Sequence, residues 1–377
     1  RPVATAQLGH ADAEVRRRAR SVLARLDAAR AATRAESLTW AGLRGNPSRS
    51  GIAGGTLPAA EPERLWPVRV PELDLIQGAL VPGDGRLVAL SGDGVVRCFD
   101  PATGDRLWLA HVESRIEASA VLAAGRLVIP TARGIVALDE TTGRRAWEQP
   151  ATYGCNAAPA VGGGRVYAAF RNEGVRAFDV ITGEPVFESA FAPSGALLVD
   201  GDLIVAGTED GHIVRLDPET GRRLWRVELG SAPNMGPTLA APGMIAVLAR
   251  DRYLRVLGAE RGRTLWERRL RAASRSESLA AAAGRLFLTD DRGALRAFDG
   301  ATGHAEWQRD EGMLSIGGPC ATAESVLWAE RGRLTCRNAD DGRLRWRLDL
   351  PARNCAPPVV RDGTVFVLTD EELVALR

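Results

Sequence analysis

Short apolar runs separated by glycine-containing turns recur along the chain. The run 87–90 follows a turn at 83–85, and the run 95–99 follows a second turn at 92–94. β-Rich segments about ten residues apart, bounded by Gly and Asp, are typical of antiparallel hairpins. A turn of the form Asp-x-x-Thr-Gly and a strand bearing a tryptophan then close each period. The pattern predicts four strands in about forty residues, the content of one β-propeller blade.

The closing turn of each period identifies the repeat. Its copies lie at 100–108, 139–147, 179–187, 217–225 and 299–307, with degenerate copies at 262–266 and 341–346. Glycine suits the positive φ of such a turn, and Asp and Thr side chains bond its backbone amides. We predict that one large aromatic side chain per blade packs between neighbouring sheets. These docking aromatics are Trp66, Trp108, Trp147, Phe187, Trp225, Trp266, Trp307 and Trp346.

The two ends of the repeat region complete one blade. The strand-like segment 372–376 has no tryptophan strand after it, and the strand around Trp66 has no hairpin before it. Pairing the two removes exposed sheet edges. We therefore predict an all-β fold at residues 63–377, an eight-bladed propeller of four-stranded antiparallel blades closed by an N-terminal strand. Seven blades with a loose N-terminal strand is the alternative.

The N-terminal part differs in kind. Within residues 1–35, Val15, Ala19, Val22 and Leu26 recur at helical spacing, which predicts a short α-helical segment similar to half of a HEAT repeat. One such unit cannot bury its apolar face alone, so we expect preceding repeats to have been trimmed from the sequence. Residues 36–62 carry Gly and Pro and are interpreted as a linker.

Composition removes several functional classes. A net charge of +2 gives no reason to expect a nucleic-acid partner. All 49 basic side chains are arginine, so lysine Schiff-base chemistry is excluded. No apolar run reaches the roughly 18 residues of a membrane-spanning helix. The five cysteines form no Cys-x-x-Cys pair, so we predict neither a disulfide framework nor a metal site.

One polar position stands near the start of most innermost strands. Aligning the blades on their glycine turns places there Gln77, Glu117, Asn156, Asn234, Ser276 and Asn354. Innermost strands line the axis of a propeller, so we predict that these side chains ring one mouth of the channel. They form either a site for a polar ligand or peptide, or, as we favour from the residues alone, the wall of a hydrated channel.

The full closing pattern, Ala-x-Asp-x-x-Thr-Gly-x-x-x-Trp, occurs at Ala137–Trp147 and at Ala297–Trp307. It resembles the tryptophan-docking motif of quinoprotein-type (PQQ-like) propeller repeats, and the resemblance covers residues 64–377. The resemblance implies two branches. One contains dehydrogenases that use PQQ with calcium, and the other contains the BamB-like scaffold of outer-membrane β-barrel assembly. The chain has neither adjacent cysteines nor long insertions between blades, so in its size and short loops it is more similar to the scaffold branch.

The resemblance sets the functional expectation. It favours a non-catalytic scaffold that binds protein partners without a cofactor, and it implies a location in the periplasm or cell envelope. Whether the chain is an enzyme stays open. The first alternative is a PQQ- and calcium-dependent dehydrogenase or a quinone-binding sensor, with Glu117, Asn156 and Asn234 near the cofactor. The second is a protein that binds a polysaccharide or a peptide.

Overall fold

The computed structural model describes residues 45–46, 56–70, 74, 76, 79–234, 236–272, 279–310, 318–330 and 332–377. These residues form eight sheets, each of four antiparallel strands. All 32 elements of regular secondary structure in the described part of the chain are β-strands. The eight-bladed propeller is thereby confirmed. The predicted helical segment with its HEAT-like character, and residues 36–44 and 47–55 of the predicted linker, lie outside the described residues.

Each of the first seven blades takes four consecutive strands, running from the axis to the rim. Blades 1 to 4 are β2 (Leu80–Gly83), β3 (Arg86–Leu90), β4 (Val95–Phe99), β5 (Arg106–His111); β6 (Val121–Ala123), β7 (Arg126–Thr131), β8 (Gly134–Asp139), β9 (Arg145–Pro150); β10 (Ala160–Gly162), β11 (Arg165–Phe170), β12 (Gly174–Asp179), β13 (Pro185–Ser189); and β14 (Leu198–Asp200), β15 (Leu203–Gly207), β16 (His212–Leu216), β17 (Arg223–Glu228).

The remaining blades follow the same order, except that the rim strand of blade 8 comes from the N-terminal side. Blades 5 to 8 are β18 (Thr238–Ala241), β19 (Met244–Leu248), β20 (Tyr253–Gly258), β21 (Thr264–Arg269); β22 (Leu279–Ala282), β23 (Arg285–Thr289), β24 (Ala294–Asp299), β25 (Ala305–Asp310); β26 (Cys320–Ala321), β27 (Ser325–Glu330), β28 (Arg333–Asn338), β29 (Leu344–Asp349); and β30 (Val359–Arg361), β31 (Thr364–Leu368), β32 (Glu372–Leu376), β1 (Arg64–Arg69).

Burial follows the position of each strand in its blade. The second strand β3 is apolar on both faces and almost wholly buried, because neighbouring blades cover both sides of it. The rim strand β9 instead alternates, with Trp147 buried between exposed neighbours. Innermost strands contact those of adjacent blades, as β2 does with β6 and β30, so they surround the axis. The core therefore lies between blades, where apolar clusters combine residues from adjacent sheets.

The ring closes through two segments remote in sequence. Strand β1 pairs antiparallel with β32, with Trp66 opposite Ala375, as the sequence predicted. The Glu63 N–H donates to the Arg377 carbonyl at 2.8 Å, and the Arg377 N–H donates to the Glu63 carbonyl at 2.9 Å. Leu57 is 5% exposed and belongs to the apolar cluster between blades 7 and 8. Part of the predicted linker is therefore packed against the ring.

Candidate functional site

The Asp-x-x-Thr-Gly turns are held by their own side chains. In blade 2, Asp139 Oδ1 accepts the N–H of Thr141 at 3.1 Å and both the N–H and the hydroxyl of Thr142 at 2.9 Å. The Gly143 N–H donates to the Asp139 carbonyl at 2.8 Å. Equivalent bonds from Thr220 and Thr302 lower the pKa values of Asp217 and Asp299. These carboxylates are anionic acceptors that hold the turn.

Each closing tryptophan reaches forward to the turn of the next blade. Its indole N–H donates to the carbonyl of the second turn residue, which follows the aspartate in the full motif, as from Trp108 to Glu140 at 3.0 Å and from Trp266 to Gly300 at 2.9 Å. The indole lies flat against the turn glycine. A Cβ on Gly143, whose φ is +69°, would stand 2.7 Å from Cε3 of Trp108. Aspartate, glycine and tryptophan of the repeat thus form one joint between blades.

Phe187 occupies the docking position of blade 3 and has no N–H to donate. Its ring still packs on Gly221 of the next turn. The Pro218 carbonyl, which an indole N–H would bond in the other joints, instead accepts a hydrogen bond from Arg165 Nη1 at 2.6 Å. Nη2 of the same guanidinium donates to the Glu219 carboxylate at 2.7 Å. Arg165 therefore supplies the donor that the missing indole would have provided. Arginine recurs at this position as Arg86, Arg126 and Arg285, each at the start of a second strand, so the sequence marks the residue but not its bond to Pro218.

The eighth joint uses a turn assembled from two segments. The Trp346 indole N–H donates at 2.8 Å to the carbonyl of Pro58, which comes from the N-terminal side of the ring. The bond from the Arg377 N–H to the Glu63 carbonyl has the same form as the bond from the Asp100 N–H to the Asp105 carbonyl in blade 1. Residues 58–63 and Arg377 together thus take the place of a continuous docking turn.

The cysteines are buried thiols. Burial raises the pKa of Cys98, Cys155 and Cys336 to about 12 and that of Cys355 to about 11, so these groups are protonated at neutral pH and poor nucleophiles. In the described part of the chain, no three His, Cys, Asp or Glu side chains are grouped as a metal site. No helix there is long and apolar enough to cross a membrane.

The predicted ring at the channel mouth is described in part. Gln77 and Ser276 lie outside the described residues, whereas Glu117 and Asn156 are exposed and Asn234 is half-buried. Each precedes the innermost strand of its blade, on the face that carries the connections between blades. Because strands alternate in direction, this face is opposite the docking turns. Arg115 lies on the same face, 4.0 Å from the carboxylate of Asp74.

Backbone hydrogen bonds define which of these residues are equivalent. The N–H of Glu117 donates to the Pro130 carbonyl, and the N–H of Asn234 donates to the Leu248 carbonyl in the same register. In blade 4 this position is held by Ser194, whose N–H donates to Gly207 and which the sequence alignment did not select. In blade 8 the exposed Asn354 lies two positions earlier, because its carbonyl accepts from Asp370 as that of Arg115 accepts from Ala132.

This set does not fit a calcium-bound quinone. Calcium takes six to eight oxygen ligands, usually including several carboxylates. The described mouth residues include two carboxylates, Glu117 and Asp74, of which Asp74 faces Arg115. The residues in register with Glu117 are Asn156, Ser194 and Asn234. The turn aspartates cannot contribute, since they lie at the other end of the blades and are engaged by Thr hydroxyls and amides.

Eight blades joined by seven forward-reaching tryptophans and Phe187 define this chain as a β-propeller of the PQQ-like repeat class. The family model described as outer membrane protein assembly factor BamB matches residues 92–235, 209–324 and 314–377. These matches cover well over half of the chain, and the chain belongs to this family.

Known relatives agree with that assignment. An outer membrane protein assembly factor BamB from Burkholderia pseudomallei (strain K96243) is 25% identical over 182 residues, covering 44% of this chain and 47% of that protein. The match thus spans about half the length of that relative. The crystal structure of BamB from Moraxella catarrhalis superimposes with a TM-score of 0.70 at 19% identity, over 84% of this chain and 99% of that one.

The fold itself is shared with enzymes. The quinohemoprotein alcohol dehydrogenase from Comamonas testosteroni superimposes with a TM-score of 0.76 at 14% identity, over 93% of this chain and 84% of that one. Likeness at this identity reflects the fold alone. The propeller scaffold is therefore common to assembly factors and dehydrogenases, and function must be argued from residues.

Proposed function

We propose that this chain is a non-catalytic scaffold of the cell envelope that binds protein partners. The observation that carries the proposal is that the polar and aromatic side chains of the repeat are already bonded within the fold. Its aspartates, threonines and tryptophans are engaged in joints between blades, as in the bonds of Asp139 and Trp108. What the ring offers to solvent is a rigid rim and two faces of short loops, which suits recognition of a partner's surface.

Family membership supports the same proposal. The relatives are named as outer membrane protein assembly factors, so we infer a role for this chain in a protein assembly at the envelope. Short connections support it further, because a dry pocket for cofactor chemistry needs material that these loops do not supply. The connection from β5 to β6, for example, spans only residues 112–120.

The test is purification of a tagged chain from its own cells after mild cross-linking. A stoichiometric partner that co-purifies from the envelope fraction, and re-forms the complex from purified components, is the expected result. The dehydrogenase propeller that shares the fold provides the matched bait, because it has the same architecture without this family's surface. A chain that remains monomeric, or that retains the same proteins as this control bait, contradicts the scaffold role.

Quinone binding is the competing proposal, since a dehydrogenase shares the fold. Calorimetric titration with PQQ and calcium tests it directly. Saturable binding that Glu117→Ala abolishes would favour a quinoprotein and justify assays with alcohols and sugars. We expect no such binding, because the described mouth residues offer two carboxylates, one of them facing Arg115, in place of a calcium cage.

A further inference from the structure

Three arginines meet at one corner of blade 5, here named the arginine corner. Arg252 lies in the turn between β19 and β20, Arg269 ends β21, and Arg271 follows it. Arg269 is paired with Tyr253 across the sheet, and the Leu270 N–H donates to the Arg252 carbonyl at 2.8 Å. All three side chains are exposed, and within the described residues none has an acidic partner.

The backbone at Arg252 is one that glycine prefers. Its φ is +67°, in the left-handed region that L residues with a Cβ disfavour. The bond from Leu270 to Arg252 has five counterparts. Three end on glycines of positive φ, which are Gly94, Gly211 and Gly332 at +95°, +84° and +65°, and two end on residues without a positive φ, which are Arg133 and Glu371. Where this position takes a positive φ in the other blades of the set it is glycine, and blade 5 fills it with a long cation at a cost in backbone strain.

The same bond identifies the residues equivalent to the other two arginines. Positions equivalent to Arg269 hold His111, Pro150, Glu228, Asp349 and Arg69, and positions equivalent to Arg271 hold Glu113, Thr152, Gly230 and Pro351. Among the blades in which this bond is described, blade 5 is the one with arginine at all three positions. Architecture common to the blades does not account for the cluster.

Both features oppose folding and favour an anion. Neighbouring like charges on paired strands repel, and the strain at Arg252 adds to that penalty. Departures from local rules without structural benefit mark functional positions. A guanidinium matches a carboxylate through two parallel hydrogen bonds. We propose that the arginine corner binds an acidic segment of a partner protein. This inference rests on the scaffold function proposed above and names the chemistry of its partner.

The surroundings favour a narrow acidic segment over an anionic membrane. Glu209 and Asp210 are exposed in the neighbouring loop of blade 4, and Asp310 is exposed at the end of β25. A flat anionic surface that reached the corner would also meet these carboxylates. Leu265 is 47% exposed and lies on the same face of β21 as Arg269, roughly 13 Å along the strand. Glu267 lies between them and is paired with Arg255 at 3.2 Å, so an extended segment with a carboxylate at Arg269 can place an apolar side chain against Leu265 about four residues away.

The test uses fluorescence anisotropy with a labelled extended peptide that carries several Asp and Glu residues around one Leu. A second peptide has Asn and Gln in place of the acids, and vesicles containing phosphatidylglycerol are the third probe. The variant Arg252→Gly, Arg269→Gln, Arg271→Gln removes the corner. The control variant Arg222→Gln, Arg261→Gln, Arg263→Gln removes the same charge from exposed positions at the docking-turn end.

The acidic peptide should bind the parent and the control variant alike, and the corner variant about tenfold or more weakly. Added salt should weaken binding, since the contacts are exposed ion pairs. Arg252→Gly alone should weaken binding without lowering the urea midpoint of unfolding, which a purely structural arginine would not do. Equal binding of the acidic and amide peptides, or unchanged binding by the corner variant, overturns the proposal. Vesicle binding without peptide binding overturns it in favour of a membrane.

The two proposals fail separately. The peptide assay reads the corner without any native partner, whereas co-purification reads the scaffold function with the whole chain. A native complex that the corner variant forms as tightly as the parent refutes the inference and leaves the scaffold role intact. A parent chain without a native partner refutes the scaffold role whatever the peptide does.

Discussion

Replacing Gly143 with alanine tests whether the joints between blades hold the ring together. At a φ of +69° a Cβ costs about 1–2 kcal/mol in backbone strain. The same Cβ would stand 2.7 Å from Cε3 and 2.9 Å from Cδ2 of Trp108, so the indole must move. Overpacking of this kind costs about 1–3 kcal/mol. Movement of the indole also weakens its 3.0 Å bond to the Glu140 carbonyl, at about 1 kcal/mol.

The expected loss in free energy of unfolding is therefore about 3–6 kcal/mol for Gly143→Ala. Blade 2 offers a matched control in Gly125, whose φ is +73° and whose added Cβ would meet nothing within 4 Å. Gly125→Ala should lose only the strain, about 1–2 kcal/mol. Urea denaturation followed by tryptophan fluorescence measures both. Equal losses in the two variants would show that the indole contact contributes nothing and would refute the joint.

Three further predictions address other parts of the ring. Arg165→Met should lower the free energy of unfolding by about 1–3 kcal/mol, because the Pro218 carbonyl loses its donor. Adding Phe187→Trp should restore about 1 kcal/mol of that loss, because an indole N–H can then donate to the same carbonyl. A double-mutant cycle by urea denaturation measures the coupling, and zero coupling would contradict the replacement of the indole donor by Arg165. Glu219→Gln in the same series separates the ion pair from the carbonyl bond. The pKa values of Asp217 and Asp299 are lowered in the folded state, so the stability that these carboxylates contribute is present at neutral pH. That stability is lost as the pH falls below about 4 and through the folded-state pKa. Thermal melts across this range should show a smaller fall in Tm on acidification for Asp299→Asn than for the parent, and parallel curves would contradict the assignment. Leu57→Ala should cost about 2–4 kcal/mol because the side chain is buried between blades, whereas Leu65→Ala, at a leucine 49% exposed, should change stability by at most about 0.5 kcal/mol; comparable losses from both would disprove the packing of residues 56–62 on the ring.

The blade count was predictable because each joint requires a specific side chain at a fixed place. One flat aromatic must reach the next turn, and that turn must place a glycine under the ring, so both recur with the period of the fold. The N-terminal strand followed from the same logic, since Trp66 had a turn ahead of it and no hairpin behind it. The bond of Arg165 was not predictable, because arginine recurs at the equivalent positions Arg86, Arg126 and Arg285 and the pattern does not distinguish the one that replaces an indole.

The channel mouth was less predictable because its register is set by irregular backbone. In the described blades, equivalent residues lie at different separations from their turn glycines, since Glu117 is eight residues before Gly125 and Ser194 is seven before Gly201. Counting back from glycine therefore selected Asn354 in blade 8, whereas the backbone bonds make Ala356 equivalent to Glu117. The arginine corner was not predictable for another reason. Pairing of β20 with β21 brings Arg252, Arg269 and Arg271 together, and arginine is so common in the chain that these three did not stand out in the sequence.

Closure through Pro58 has a consequence for the rate of folding. The bonds of the other docking tryptophans span 32 to 35 residues, whereas that of Trp346 spans 288. Chain entropy makes the long contact harder to form by about 2 kcal/mol, because the cost of closing a loop grows with the logarithm of its length. Seven joints can thus form progressively along the chain, as in a linear repeat array, while the last must wait for distant segments to meet. We therefore expect completion of the eighth blade to be the slowest step of folding. Until that step occurs, the ring is open between blades 7 and 8.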